Sequence, residues 1–361
     1  MNGEEKRIKQ KGTVCLIVLL VLAVGAGIAV AAGRKVEPHA YAVRGFSNMC
    51  PYEGKVYGGV NSIYGDRIAL QTSIFTIQDS YIYYVEKVQE AFESATDELY
   101  QICRSRMDGT DRKVLVSDVF LPGMGHEKLI GGKLFYGCGY DENERMQYAV
   151  YDIATGKKGK IKSGRIENIL GYDGNYLYYS GYDTRKEKNM LGRIFLKTGK
   201  DETLVFGADT DEPGYMDTVL FENGSFYCLT LSDKPEGYDY RTYTYYIEVR
   251  DARTGEAERK LSVPFTGSSN YSFLIQDEKL YYTAAGNVME YSLLQDGGKE
   301  QKITGMKPEE YWGILHFLPG DGYLYYEAIA EINEETGNND YFYRVPEKGG
   351  VPELLKEWFT Q

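Results

Sequence analysis

Three histidines, five cysteines and a large stock of carboxylates are the residues of this chain that could carry out chemistry. His39, His126 and His316 stand in unrelated contexts: a segment ahead of the fold, a loop, and an inner strand. No HExxH, GxSxG or P-loop pattern sets a nucleophile or base beside a partner. "PGMGHE" (122–127) contains a GxG but lacks the strand-to-helix context of a dinucleotide site, and it reads as a loop. Asp and Glu number 53, so abundance alone picks out no carboxylate pair of the glycosidase kind. "DTDEPGYMD" (209–217) gathers Asp209, Asp211, Glu212 and Asp217, all hard oxygen ligands for calcium. It lacks the ligand order of an EF-hand and reads as a solvated acidic loop. No metal, no cofactor and no catalytic residue is expected, and the chain reads as a non-enzyme.

The cysteines point the same way. Cys15 lies in an apolar N-terminal stretch; Cys50, Cys103, Cys138 and Cys228 allow three pairings, and spacing selects none of them. No CxxC occurs, so they read as separate buried thiols. The net charge is −12, and a body that acidic repels phosphate backbones, which argues against nucleic acid as a partner.

Residues 12–33, "GTVCLIVLLVLAVGAGIAVAAG", carry no charge. As a helix they match the roughly 30 Å hydrocarbon core of a bilayer. The basic residues of segment 1–11 are expected to stay cytoplasmic, which places the bulk of the chain outside. Ala29-Val30-Ala31 resembles a signal-peptidase site, but the apolar run is longer than a signal peptide needs. The expectation is a retained anchor at the cell membrane, a stalk over 34–50, and a folded body over 51–361.

That body repeats one phrase. "DSYIYYVEK" (79–87), "GGKLFYGCG" (131–139), "DGNYLYYSG" (173–181), "NGSFYCLTL" (223–231), "DEKLYYTAA" (277–285) and "DGYLYYEAI" (321–329) each pair a turn with an apolar-aromatic run. Their spacing of about 40–50 residues fits a propeller blade or a long helical repeat. The third unit decides between them. It contains a short apolar segment, a "DGN" turn, "YLYYSGY", a charged loop, "LGRIFLK", a "TGK" turn and "DETLVF". Those are four antiparallel strands with hairpin turns. Blades stack face to face, so a strand can be apolar on both sides, which "LYY" supplies. The fold expected is an all-β β-propeller of six four-stranded blades, or seven if residues 51–71 complete another.

The pattern of paired aromatics, a loop and "Y/I-F/Y-R-x-D/P-x-x-G" resembles a bacterial propeller domain of unknown function. That family is described as similar to the low-density-lipoprotein-receptor-related-protein propeller, with TolB-like relatives. "LYQICRSRMDGTDRKVL" (99–115) and "YFYRVPEKGGVPELL" (341–355) carry it best. The YWTD motif of receptor propellers and WD40 signatures are absent. The resemblance implies a fold and no chemistry.

In such blades the A–B and C–D turns share one face, and the B–C and D–A connections share the other. The second set is the longer, and it is rich in acid and aromatics at 87–98, 207–217, 232–244, 305–312 and 330–340. Binding residues concentrate on long loops of a rigid scaffold. Tyr238, Tyr240, Tyr311 and Trp312 are the expected ligand contacts, with flat amphipathic rings suited to a peptide, protein or sugar face. The function expected is a membrane-anchored extracytoplasmic binding module. An extracellular hydrolase or lyase and an envelope scaffold stand as alternatives. Replacing the four aromatics together is expected to abolish capture of the ligand from source-organism membranes while leaving the unfolding temperature unchanged. Unaltered capture by that variant would remove these side chains from the binding face.

Overall fold

The computed structural model describes residues 50–52, 55–57, 72–89, 99–106, 110–120, 127–209, 212–233, 244–266, 273–276, 279–284, 287–292, 300–305, 311–320, 322–330 and 339–359. The expected cytoplasmic, transmembrane and stalk segments lie almost wholly outside them. Among the described residues no helix is long and apolar enough to cross a membrane.

The described elements are strands. β1 (Cys50–Tyr52) and β2 (Lys55–Tyr57) form a two-stranded ribbon. Sheet I holds β3 (Thr72–Gln78), β4 (Tyr81–Gln89), β5 (Leu99–Arg106) and β6 (Lys113–Val119). Sheet II holds β7 (Lys128–Ile130), β8 (Lys133–Tyr140), β9 (Met146–Asp152) and β10 (Lys158–Ile161). Sheet III holds β11 (Ile166–Tyr172), β12 (Tyr176–Asp183), β13 (Lys188–Phe195) and β14 (Lys200–Phe206). Sheet IV holds β15 (Met216–Glu222), β16 (Ser225–Asp233), β17 (Thr244–Asp251) and β18 (Ala257–Thr266). Sheet V holds β19 (Phe273–Gln276), β20 (Lys279–Ala284), β21 (Asn287–Ser292) and β22 (Glu300–Gly305). Sheet VI holds β23 (Tyr311–Gly320), β24 (Tyr323–Ala330), β25 (Asn339–Pro346) and β26 (Glu353–Phe359). Each is a four-stranded antiparallel meander in chain order, and the fold is a β-propeller.

The repeated phrase forms the second strand of every sheet, and pleating sends its residues to opposite faces. In sheet III, Leu177 and Tyr179 face sheet II, where they meet Phe135 and Tyr148. Tyr178 faces sheet IV, against Phe226 and Cys228. Leu177, Tyr178 and Tyr179 are all at most 1% exposed, so this strand is core on both sides. The same alternation builds seams between sheets I and II, IV and V, and V and VI. Full burial of a large apolar side chain contributes on the order of 2 kcal/mol.

Five seams are described, and they leave sheets II to V packed on both faces by described neighbours. A closed ring of six or seven blades has as many seams as blades; the five found among the described residues correct the expected count of six or seven. No seventh four-stranded sheet occurs among the described residues: β1 and β2 form only a ribbon of three residues on each side.

The arginine of the recurrent motif is structural. Arg104, Arg193 and Arg344 each lie over the ring of a tyrosine at the start of the second strand, Tyr81, Tyr176 and Tyr323, at 4.5, 4.5 and 4.7 Å from the ring centre. Arg193 and Arg344 also pair with Glu202 and Glu353 on the outermost strand, at 2.7 Å in each case. One side chain thus ties three strands together through its stem, plane and charge. The C–D turns follow the sequence equally closely. Asp251 Oδ1 accepts the amides of Arg253 and Thr254, and Gly255 takes φ 77°. That left-handed backbone is why glycine recurs in "ATGK", "KTGK" and "RTGE".

Gly192 makes room for a larger group. A Cβ there would lie 2.5 Å from Tyr179 Cζ, whose ring crosses β13 so that its hydroxyl donates to Asp201 at 2.6 Å. Arg165 joins the same carboxylate at 2.8 Å, and its backbone carbonyl would lie 1.7 Å from a Cβ at Gly181. Backbone cannot swing aside as a flexible side chain does. Gly181→Ala is therefore expected to destabilise the fold by about 2 kcal/mol and to lower the unfolding temperature by several degrees. Gly159→Ala, where the nearest atom would be Val150 Cγ1 at 3.5 Å, is the near-neutral control in the same calorimetric scan.

Candidate functional site

The innermost strands β7, β11, β15 and β19 line a cavity of about 650 Å³, and β12 and β13 add Ser180 and Asn189. Its wall mixes apolar groups, Met190, Phe221 and Ile275 among them, with the carboxylates of Glu167 and Asp217. Such a surface can hold an apolar body and orient a polar or charged head.

The two carboxylates occupy equivalent positions. In β11 the pairing with β12 slips between Ile166 and Asn168, leaving Glu167 as the extra residue. In β15 the pairing with β16 slips between Met216 and Thr218, leaving Asp217 as the extra residue. A β-bulge re-aims the side chain it carries. Here it turns an acid toward the cavity at the N-terminal end of an inner strand, where the D–A connection enters. Both side chains are exposed to that space, while the preceding Ile166 and Met216 are buried in the seams.

Burial alone holds the Glu167 carboxyl above the ordinary carboxylate range. Burial likewise raises Asp217, opposed by a hydrogen bond from the Thr218 hydroxyl, which donates to Asp217 Oδ2 at 3.4 Å. A cation beside a carboxylate would act in the reverse direction. Lys128, the lysine of the lining, is pushed down by burial and held up in part by Glu127. The Tyr148 hydroxyl donates to the Glu167 backbone carbonyl at 3.1 Å and fixes the bulge from sheet II.

The sequence-predicted contacts divide. Tyr238 and Tyr240 lie outside the described residues. Tyr311 and Trp312, expected at the end of a loop, instead open β23, the innermost strand of sheet VI. Trp312 falls between the pairs Tyr311↔Ala330 and Gly313↔Ile329, so it too occupies a bulge at the head of an inner strand. His316 lies in the same strand, paired with Glu327; His39 and His126 are outside the described residues. Of the acids weighed for calcium, Asp209 pairs with Lys188 at 3.6 Å, Asp217 is the cavity carboxylate, and Asp211 is outside the described residues. Cys103 and Cys228 are buried free thiols, each pushed up to about 12 by burial first of all. Glu167 was not singled out from the sequence. Its signal is a charge at the second position of an inner strand, "IENIL", repeated in "MDTVL" (216–220).

No protein-family model matches the chain, and no curated protein matches its sequence. Solved structures do match in fold. The β-propeller domain of the trilobed protease of Pyrococcus furiosus, described as having an open velcro topology, aligns over 77% of this chain and 80% of that one, at 13% identity and a TM-score of 0.51. Acylaminoacyl peptidase of Pyrococcus horikoshii aligns over 77% of this chain at 14% identity and a TM-score of 0.51. This chain spans 45% of that peptidase's length. TolB of Acinetobacter baumannii aligns at 16% identity over 72% of this chain and 62% of that one, with a TM-score of 0.41, too low to carry an argument. At these identities the likeness shows the propeller fold. It also corrects the expectation that the chain is not an enzyme. Propellers of a protease and a peptidase share the fold, so architecture gives no ground for setting this chain apart from enzymes.

A carboxyl with a higher pKa folded than unfolded loses stability as pH rises through that folded pKa. Glu167→Gln/Asp217→Asn removes the penalty. The double variant is expected to unfold at a higher temperature than the parent at pH 7, the gap closing below about pH 4. A lower unfolding temperature at pH 7 would show that cations compensate both carboxylates.

Proposed function

We propose that this chain is a recognition module held at the cell membrane by residues 12–33, and that it binds peptide or protein segments carrying a cationic group. A lysine, an arginine or a terminal amine enters the central cavity between Glu167 and Asp217. The long-loop face forms the approach, and Tyr238, Tyr240, Tyr311 and Trp312 are proposed as further ligand contacts. The observation that carries this reading is the pair of equivalent bulges, which turn two partly desolvated carboxylates into one cavity. Desolvation has a cost in the free protein, and an entering cation would relieve it. The apolar wall at Met190, Phe221 and Ile275 suits the aliphatic stem of lysine or arginine.

A second reading comes from the propellers of proteases and peptidases that share the fold. In it the cavity takes the same peptides as part of a hydrolytic system. One experiment addresses both. The full chain in detergent micelles is titrated calorimetrically with Gly-Arg-Gly and with Gly-Gln-Gly, each blocked at both ends, and the mixtures are then analysed for cleavage. The arginine peptide is expected to bind at least tenfold more tightly, and Glu167→Gln/Asp217→Asn is expected to erase that preference. Equal binding of the two peptides would overturn the cation reading. Cleavage would establish the peptidase reading.

A further inference from the structure

A second feature lies on the opposite side of the sheets and concerns charge of the other sign. Between Ile153 and Ile166 the sequence carries Lys157, Lys158, Lys160, Lys162 and Arg165 and no acidic residue, within a chain of net charge −12. Arg165 is committed to Asp183 and Asp201. The four lysines are exposed; Lys158 and Lys160 lie in β10, the outermost strand of sheet II, and Lys157 and Lys162 flank it. Ile161 turns into the seam with sheet III. Alternation then places Lys158, Lys160 and Lys162 on the other side of the strand, and Lys158 Nζ lies 5.8 Å from the ring centre of Tyr136, in the seam with sheet I. Successive members of this row are about 6.8 Å apart.

A cleft lies on the opposite side of the same strand, toward sheet III. Lys157 and Lys197 line a cavity of about 460 Å³ between sheets II and III, together with Lys133, Thr155 and Asn175. Lys133 is neutralised there by Asp152, at 2.6 Å. No ion pair joins Lys157, Lys160, Lys162 or Lys197 to a described residue.

We propose that this track binds a linear phosphate-bearing polymer along the outer edge of sheet II. Regularly spaced cations on an extended strand match regularly spaced anions on an extended chain. Three or four ammonium groups acting together release counterions, whereas one lysine on one phosphate adds little. The chain's overall negative charge does not forbid this. Its field is screened within about 8 Å at physiological salt, so a partner in contact feels the local row. β10 holds no aromatic residue, and the rings beside it are buried (Tyr136) or half-buried (Tyr172, Phe195), so the strand offers no open stacking platform of the kind on which single-stranded nucleic acids lie. Lysines on an edge strand also block pairing with another sheet, and that simpler role is tested alongside.

The probe is linear inorganic polyphosphate, titrated onto the full chain in detergent micelles at several salt concentrations. Lys157→Gln/Lys158→Gln/Lys160→Gln/Lys162→Gln is compared with the parent and with the matching arginine variant. We expect at least a tenfold loss of affinity in the glutamine variant, a salt slope smaller by about three to four, and retention of both in the arginine variant. Circular dichroism establishes that each variant is folded. Failure of the parent to bind, unchanged binding by a folded glutamine variant, or equal displacement by orthophosphate at the same total phosphate would each overturn the proposal. Self-association of the glutamine variant with polyphosphate binding retained would assign the lysines to guarding the edge.

Discussion

Burial of the second strand on both of its faces is the constraint from which the rest of this structure follows. A strand apolar on one side can be satisfied by a single covering layer. A strand reading Leu-Tyr-Tyr needs two, and in a chain of antiparallel meanders the two layers are the sheets before and after it. Leu177 and Tyr179 commit sheet III to sheet II, and Tyr178 commits it to sheet IV. Repeating that commitment stacks the sheets with their first strands inward. A cavity lined by inner strands is a consequence of that stacking. Its chemistry is then set by whichever side chains the inner strands turn toward it.

This explains how much could be read from the sequence. The repeated aromatic phrase and the glycine turns announced four-stranded units because pleating and positive φ are local properties, visible in a few residues. The role of the motif arginine was not visible. Arg193 works through Tyr176 on one strand and Glu202 on another, and the three meet only once the register is set. The bulges were hidden for a similar reason. Nothing in "IENIL" says that Glu167 is the unpaired residue; that depends on the slip against β12. Composition puts Trp312 in a loop, yet its backbone opens an inner strand, because the D–A connection ends two residues earlier than composition suggests.

The charge pattern has a similar division between what is global and what is local. A net charge of −12 describes the approach of a distant partner. It does not describe contact. On the inner strands two acids are partly desolvated and raised in pKa; along the outer edge of sheet II four lysines are exposed, one of them beside the ring of Tyr136. The first arrangement favours a partner that brings positive charge into a confined space. The second favours one that lies along a strand. The two sites are on separate strands and could act without each other. The inner carboxylates are the stronger basis for function, because two inner strands turn a carboxylate each into one confined space.

The most direct test of that central claim is a crystal structure of the chain soaked with N-acetyl-arginine amide. Our reading predicts the guanidinium in ion-pair contact with both Glu167 and Asp217, with its aliphatic stem against Met190 or Phe221. Both carboxylates found paired with the chain's own lysines or arginines, or the arginine bound elsewhere and this cavity left to water, would contradict it.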